Sequence, residues 1–318
     1  MILGIPRGAI YYDYISFMRD IFNDTGIILY EGPENDEAIL DKGTEKTVDE
    51  ACLPIKLLAG QCEYLQRCCD KVLILRVIKD LNGRWLCPKI LGQTQLISMG
   101  NDKEKLLLSE ALDFNNKNET FKAFKKIFNK LNLDKTLLKV NFIRAYSELE
   151  SQWIGNKNIH VESAWEFVPN IPEDGEIILP NTRKILLAGH FYNVYDKFSN
   201  KDIIRRLDEL GIESLTEKDV NRKEQEIAIE KIQLIKMPYW ESVVRTLGTA
   251  VHLQDDIDGI IYLSSFSCGP DSMIIELIKE YVKNIPIMVL KLDGHRGEEG
   301  YLTRIEAFSD LLEERIIS

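Results

Sequence analysis

Two rhythms of apolar positions run along the chain. Leu3–Pro6, Ile27–Tyr30 and Val72–Leu75 are short, nearly continuous apolar runs bounded by glycine, proline or acidic residues, the pattern of buried strands. Between them, Tyr12–Thr25 and Pro54–Cys69 place apolar residues at helical spacing. Gly26 stops the first of these helices, and Gly32–Asp36 is turn chemistry. Strands alternating with helices predict a parallel sheet with right-handed crossovers. The stretch 102–158 reads as helical with few strand signals. Val168–Gly175, with its prolines, glycine and acids, reads as a linker. The rhythm then restarts: a strand at Lys184–His190 ending in a glycine turn, a helix at Asp202–Leu210 stopped by Gly211, and a strand at Gly259–Leu263. A helix at Pro270–Val282, a strand at Ile287–Leu292 and a helix at Arg304–Glu314 complete it. The expected fold is α/β. It has two parallel-sheet domains, residues 1–175 with the helical connector and 176–318.

Composition narrows the function classes. The 318 residues suffice for two cores, and 45% hydrophobic with 29% charged residues is the balance of a globular protein. A net charge of −11 argues against a nucleic-acid surface, which needs clustered lysine and arginine. The locally basic run Phe121–Ile127 is expected to be a solvated helix face. No apolar run approaches the roughly 20 residues that span a bilayer. Met1–Arg7 reads as a first strand rather than a signal peptide, so a cytoplasmic location is expected. In a reducing compartment the six cysteines are ligands or buried thiols before they are disulfides.

The cysteines divide into two sets. Cys52-Leu53-Pro54, Cys87-Pro88 and Cys268-Gly269-Pro270 each place a cysteine just before a proline, which favours the first turn of a new helix. There the free N–H groups and the dipole are expected to favour the thiolate. Three such thiolates suit an iron–sulfur cluster held by three corners with one iron open, although their spacing matches no compact ferredoxin-type run. Zinc is the alternative, with His190 or His295 as fourth ligand. Cys62, Cys68 and Cys69 lie within one helix, and Cys62 and Cys69 share a face, so they are expected to be core thiols.

Two further loops carry candidate acid–base groups. Gly189–Asp196 is a strand-to-loop turn that presents His190 among aromatics. Asp293–Phe308 leads from a strand through a glycine-rich acidic loop, containing His295 and Glu298, into a helix. His190, His295 and Glu298 are therefore the candidate catalytic residues, with a loop-fixing or sheet-capping role as the alternative. Neither Gly-x-x-x-x-Gly-Lys-Ser/Thr nor Gly-x-Gly-x-x-Gly occurs, so the chain carries no standard nucleotide motif.

Several of these segments resemble one superfamily. They are Ile5-Pro6-Arg7, Val48–Lys56 around Cys52, Leu86–Lys89 around Cys87, Phe266–Ser272 around Cys268, and Gly300–Phe308. In this order they resemble the 2-hydroxyacyl-CoA dehydratase and double-cubane-cluster superfamily, most closely the acyl-CoA dehydratase activase-related branch. The resemblance implies two Rossmann-like domains with a cluster in the cleft, either [4Fe-4S] or a double-cubane [8Fe-9S], held by Cys52, Cys87 and Cys268. It also implies a separate ATP-dependent activase that passes one low-potential electron to the cluster. Dehydratases of this superfamily use that electron to form a ketyl radical from a 2-hydroxyacyl-CoA, and double-cubane members reduce small molecules. The lack of a nucleotide motif fits the electron-accepting role. The expected partners are thus an activase, an acyl-CoA or small reducible substrate, and a second copy in a dimer, with no nucleic acid and no membrane. The rival expectations are a cluster-carrying accessory or scaffold protein and a zinc-stabilised binding module. Gly294, Arg296 and Gly92-Gln93-Thr94-Gln95 depart from the superfamily's usual pattern.

Overall fold

The computed structural model describes residues 1–154, 183–294 and 299–317. The expected linker Val168–Gly175, the domain boundary after residue 175, and the candidates His295 and Glu298 lie outside the described residues. The first half forms β1 (Ile2–Ile5), β2 (Ile28–Glu31), β3 (Lys71–Lys79) and β4 (Leu106–Asp113), a parallel sheet in the order β2-β1-β3-β4. The second forms β5 (Arg183–Gly189), β6 (Ile212–Leu215), β7 (Gly259–Ser265) and β8 (Ile287–Leu292), in the order β6-β5-β7-β8. The two halves therefore share one strand order, a duplication that no repeat in the sequence betrays.

Strand position follows composition. Every residue of β7, Gly-Ile-Ile-Tyr-Leu-Ser-Ser, is buried, as expected of a central parallel strand covered on both faces. β2 alternates exposed and half-buried residues and lies at an edge. The stretch 102–158, expected to be helical, instead contains β4 before its two helices. β4 reads Leu-Leu-Leu-Ser-Glu-Ala-Leu-Asp, a composition rich in helix formers, and its pairing with β3 overrides that propensity. The edge strand β6, of four residues, was also not expected, being too short to show a period.

The helices Tyr11–Ile21, Lys117–Lys130 and Lys135–Ile154 bury an aromatic core beside the first sheet. Phe17 packs edge-on against Phe114, Phe124 and Phe142, with centroids 5.3, 5.4 and 6.1 Å away. The helices Glu37–Lys46 and Leu53–Cys68 cross at backbone contact. A Cβ on Gly43 would lie 1.7 Å from the Lys56 carbonyl oxygen, and one on Gly60 1.9 Å from that of Ile39. This crossing fixes the helix whose first turn carries Cys52.

The halves share a core and a polar seam. Ile39, Leu53 and Leu57 pack with Ile185, Leu187 and Leu290, while Phe191 and Tyr192 join the first half's core. Arg245, on the helix Glu241–Leu253, meets Asp13 of the first half at 2.9 Å, Glu217 at 3.0 Å and Glu241 at 3.2 Å. Nearby, Arg222 lies 3.5 Å from Asp80 of the first half. Among the described residues, no helix is long and apolar enough to cross a membrane.

Candidate metal centre

Cys52, Cys87 and Cys268 are the N-cap residues of three helices: Leu53–Cys68, Pro88–Leu91 and Gly269–Tyr281. In each helix a proline occupies the first turn, where its missing N–H costs nothing. Cys87 follows β3 and Cys268 follows β7, the corresponding strands of the two duplicated sheets. The loops beyond the carboxyl ends of these strands meet, and all three cysteines line one cavity of about 180 Å³. Its remaining walls are mostly apolar: Ala9, Pro54, Ile55, Pro88, Ile90, Tyr192, Trp240, Gly269 and Pro270, with Lys89 as the charged member. Cys52 and Cys268 are buried and Cys87 is half-buried.

His190 reaches the same place from β5. Gly189, at φ +142°, lets the chain turn against β7, since a Cβ there would sit 2.5 Å from the Leu263 carbonyl oxygen. Asn193 then fixes the loop, donating to the Leu263 carbonyl at 3.2 Å and accepting from the Ser265 hydroxyl at 2.8 Å. The His190 ring stacks on Tyr192 at 4.9 Å between centroids. Its Nε2 lies 3.6 Å from the Cys268 sulfur and 3.1 Å from Asp271 Oδ1, which also accepts from the Tyr262 hydroxyl at 2.8 Å.

Charge in this cleft is set by burial and by pairing. Burial works against a cation at His190, but the Asp271 carboxylate outweighs it and raises the imidazole well above its ordinary range. Burial likewise opposes ionisation of Asp271, yet His190 and the Tyr262 hydroxyl hold its carboxyl below the usual value. His190 and Asp271 are thus a buried imidazolium–carboxylate pair. Burial pushes the Cys52 thiol up to about 11, against the pull of the Lys89 ammonium and the Ile55 N–H. It also raises Cys87, against the N–H groups of Lys89 and Ile90. The expected stabilisation of thiolates at helix N-termini is therefore overcome by desolvation at these two positions. A metal binding here would displace protons.

The second set of cysteines behaves as core thiols in part. Cys62 is fully buried among Leu65, Val72 and Ile74, and Cys69 is buried nearby. Cys68, the last residue of the helix, is exposed on its solvent face with Tyr64 and Arg67, its sulfur 3.8 Å from that of Cys69, which caps the helix rather than lying within it. Of the candidate acid–base groups, the structure brings His190 to the cysteines. Sequence reasoning missed Asp271, Tyr262 and Lys89 as parts of the site. Asp271 and Lys89 stand within the quoted motifs, beside the cysteines that carry the resemblance. Tyr262 reads as a strand residue like any other.

Tetrahedral zinc takes thiolates at about 2.3 Å, so ligand sulfurs around one ion lie under about 4 Å apart. Among the described residues, the group of three ligand atoms within 4.8 Å of one another is His190, Cys268 and Asp271; the three sulfurs of Cys52, Cys87 and Cys268 do not form such a group. Cys52, Cys87 and Cys268 instead share the walls of one apolar cavity. Comparison with curated proteins finds no match. Residues 2–220 match the family model described as CoA enzyme activase uncharacterised domain (DUF2229), which takes in Cys52, Cys87 and His190 and ends before Cys268. As that match covers more than half of the 318 residues, the chain belongs to this activase-related CoA-enzyme family.

Proposed function

We propose that the protein carries an iron–sulfur cluster on Cys52, Cys87 and Cys268. In this reading it accepts low-potential electrons from an ATP-dependent activase for reductive or radical chemistry of the 2-hydroxyacyl-CoA dehydratase or double-cubane type. The observation that carries this reading is the convergence of three N-cap cysteines, from both sheets, on one apolar cavity. When bound, such a cluster would supply one-electron chemistry at an iron left open by a three-thiolate set.

The chain's own residues suit that role. Tyr192, Trp240 and the three prolines give the cavity mostly apolar walls. The buried His190 holds a proton beside the Cys268 sulfur, where a hydrogen bond to sulfur favours added negative charge. Asp271 and Tyr262 keep the imidazole in place. The family's description supports an activase or a CoA enzyme as partner. The substrate in this reading is an acyl-CoA or a small reducible molecule. A second reading, a single zinc ion, draws on the spacing of His190, Cys268 and Asp271.

Iron, acid-labile sulfide and zinc per chain after anaerobic purification separate the two. The cluster reading predicts about four irons with matching sulfide and a band bleached by dithionite, or about eight for a double cubane. Stoichiometric zinc without sulfide overturns it. A cluster-loaded protein that shows no turnover with activase, ATP and reductant would be an accessory carrier.

A further inference from the structure

One side chain touches all three cysteine loops. Lys89 stands two residues beyond Cys87, in the first turn of the helix Pro88–Leu91. Its ammonium donates to the Glu50 carbonyl at 3.0 Å and to the Ser267 carbonyl at 2.9 Å, and lies 3.4 Å from the Ser267 hydroxyl. Glu50 is two residues before Cys52, and Ser267 immediately precedes Cys268. The ammonium reaches the other two loops, one carbonyl on each, while its own backbone holds the Cys87 loop.

The two acceptor loops need such a tie. Ser267 adopts φ +64°, a left-handed conformation that costs a non-glycine residue free energy and persists only when its surroundings hold it. The loop before Cys52 lies between the helices Glu37–Lys46 and Leu53–Cys68, with an Ala51 N–H to Val48 carbonyl turn at 3.0 Å. Cys52 and Cys87 belong to the first half and Cys268 to the second, so their separation depends on how the halves meet at this point.

We infer that Lys89 is a positioning residue that sets the spacing of Cys52, Cys87 and Cys268 by clipping their loops together, and that places one positive charge at the rim of the apolar cavity. This rests on the cluster reading for its purpose, while the clip itself is a property of the metal-free chain. Lys89→Met removes the donors and the charge; Lys89→Arg keeps the charge and can bond both carbonyls.

The first readout uses the metal-free protein. Maleimide alkylation of Cys268, followed by mass spectrometry with buried Cys62 as internal control, reports loop opening; Cys52 is left out because Lys89 also pulls directly on its thiol. Lys89→Met is expected to alkylate about tenfold faster, with Lys89→Arg near the wild-type rate. The second readout is the midpoint potential of the iron- and sulfide-loaded protein. Loss of a nearby cation disfavours the reduced state, so the potential falls in Lys89→Met and holds in Lys89→Arg. Equal alkylation in wild type and Lys89→Met overturns the clip, as does Lys89→Arg behaving like Lys89→Met. Faster alkylation in Lys89→Met, in a wild type that takes up no iron and sulfide, upholds the clip and overturns the cluster reading instead.

Discussion

Removing Arg245 gives a sharp test of how the halves are held together. Its guanidinium faces Asp13, Glu217 and Glu241 at 2.9, 3.0 and 3.2 Å, and it lies over the Phe191 ring at 3.8 Å. Arg245→Met keeps much of the apolar stem but leaves buried carboxylates facing one another. Breaking a buried pair by removing one partner costs about 3–5 kcal/mol, and here several acids lose one cation. The penalty is pH-dependent. Burial outweighs the pull of Arg245 and raises Glu217 to about 7, so at low pH this group is neutral in the fold. A carboxyl raised on folding contributes stability below its unfolded value, and that contribution is lost as pH rises through about 7. Urea unfolding of wild type and Arg245→Met at pH 5.5 and 7.5 measures both effects. The expected cost is about 3–5 kcal/mol at the higher pH and roughly half or less at the lower. Glu217→Gln should flatten the wild-type decline between these values, each pH unit contributing at most about 1.4 kcal/mol per group. A cost below about 1 kcal/mol at pH 7.5, or an equal cost at both, would refute the reasoning.

Three more outcomes follow from the packing and the pairs. Gly60→Ala should push apart the helices that position Cys52, lowering the melting temperature and, in iron-loaded protein, the metal content; unchanged values of both would contradict the crossing. Phe17→Ala removes the ring that three others pack against and should cost about 3–5 kcal/mol in chemical unfolding; a cost under about 1 kcal/mol would contradict this packing. Asp271→Asn should bring the His190 titration, followed by NMR, down toward or below the ordinary histidine range. Because His190 is raised in the fold, the stability cost of this change should be full at low pH and shrink as pH rises through the native His190 pKa; a His190 titration unmoved by the variant would remove the ion pair.

Much of this site was legible in the sequence because proline and glycine write local rules. The three Cys–Pro segments announced helix starts, and Gly189 announced the turn that delivers His190. The central strands β5 and β7 were readable as apolar runs, since central parallel strands are buried on both faces, and the edge strand β8 was readable from its own apolar run. What stayed hidden depends on partners distant in sequence. β4 is written in helix-forming residues and exists because β3 pairs with it. The His190–Asp271 pair joins residues 81 apart, and the Arg245–Asp13 pair joins residues 232 apart, so neither has a local signature. The thiol protonation was misread for a related reason: the helix N-terminus is visible in sequence, but the depth at which it is buried is not.

The most direct test of the central claim is the iron and sulfide content of anaerobically reconstituted Cys52→Ser, Cys87→Ser and Cys268→Ser beside Cys62→Ser. Cys268 is the decisive position, because it comes from the second sheet and lies beyond the residues matched to the family. One cluster shared between the halves predicts that each of the three variants loses most of its iron, sulfide and visible absorption while Cys62→Ser keeps the wild-type content. Full iron and sulfide in Cys268→Ser, or equal loss in all four, would contradict it.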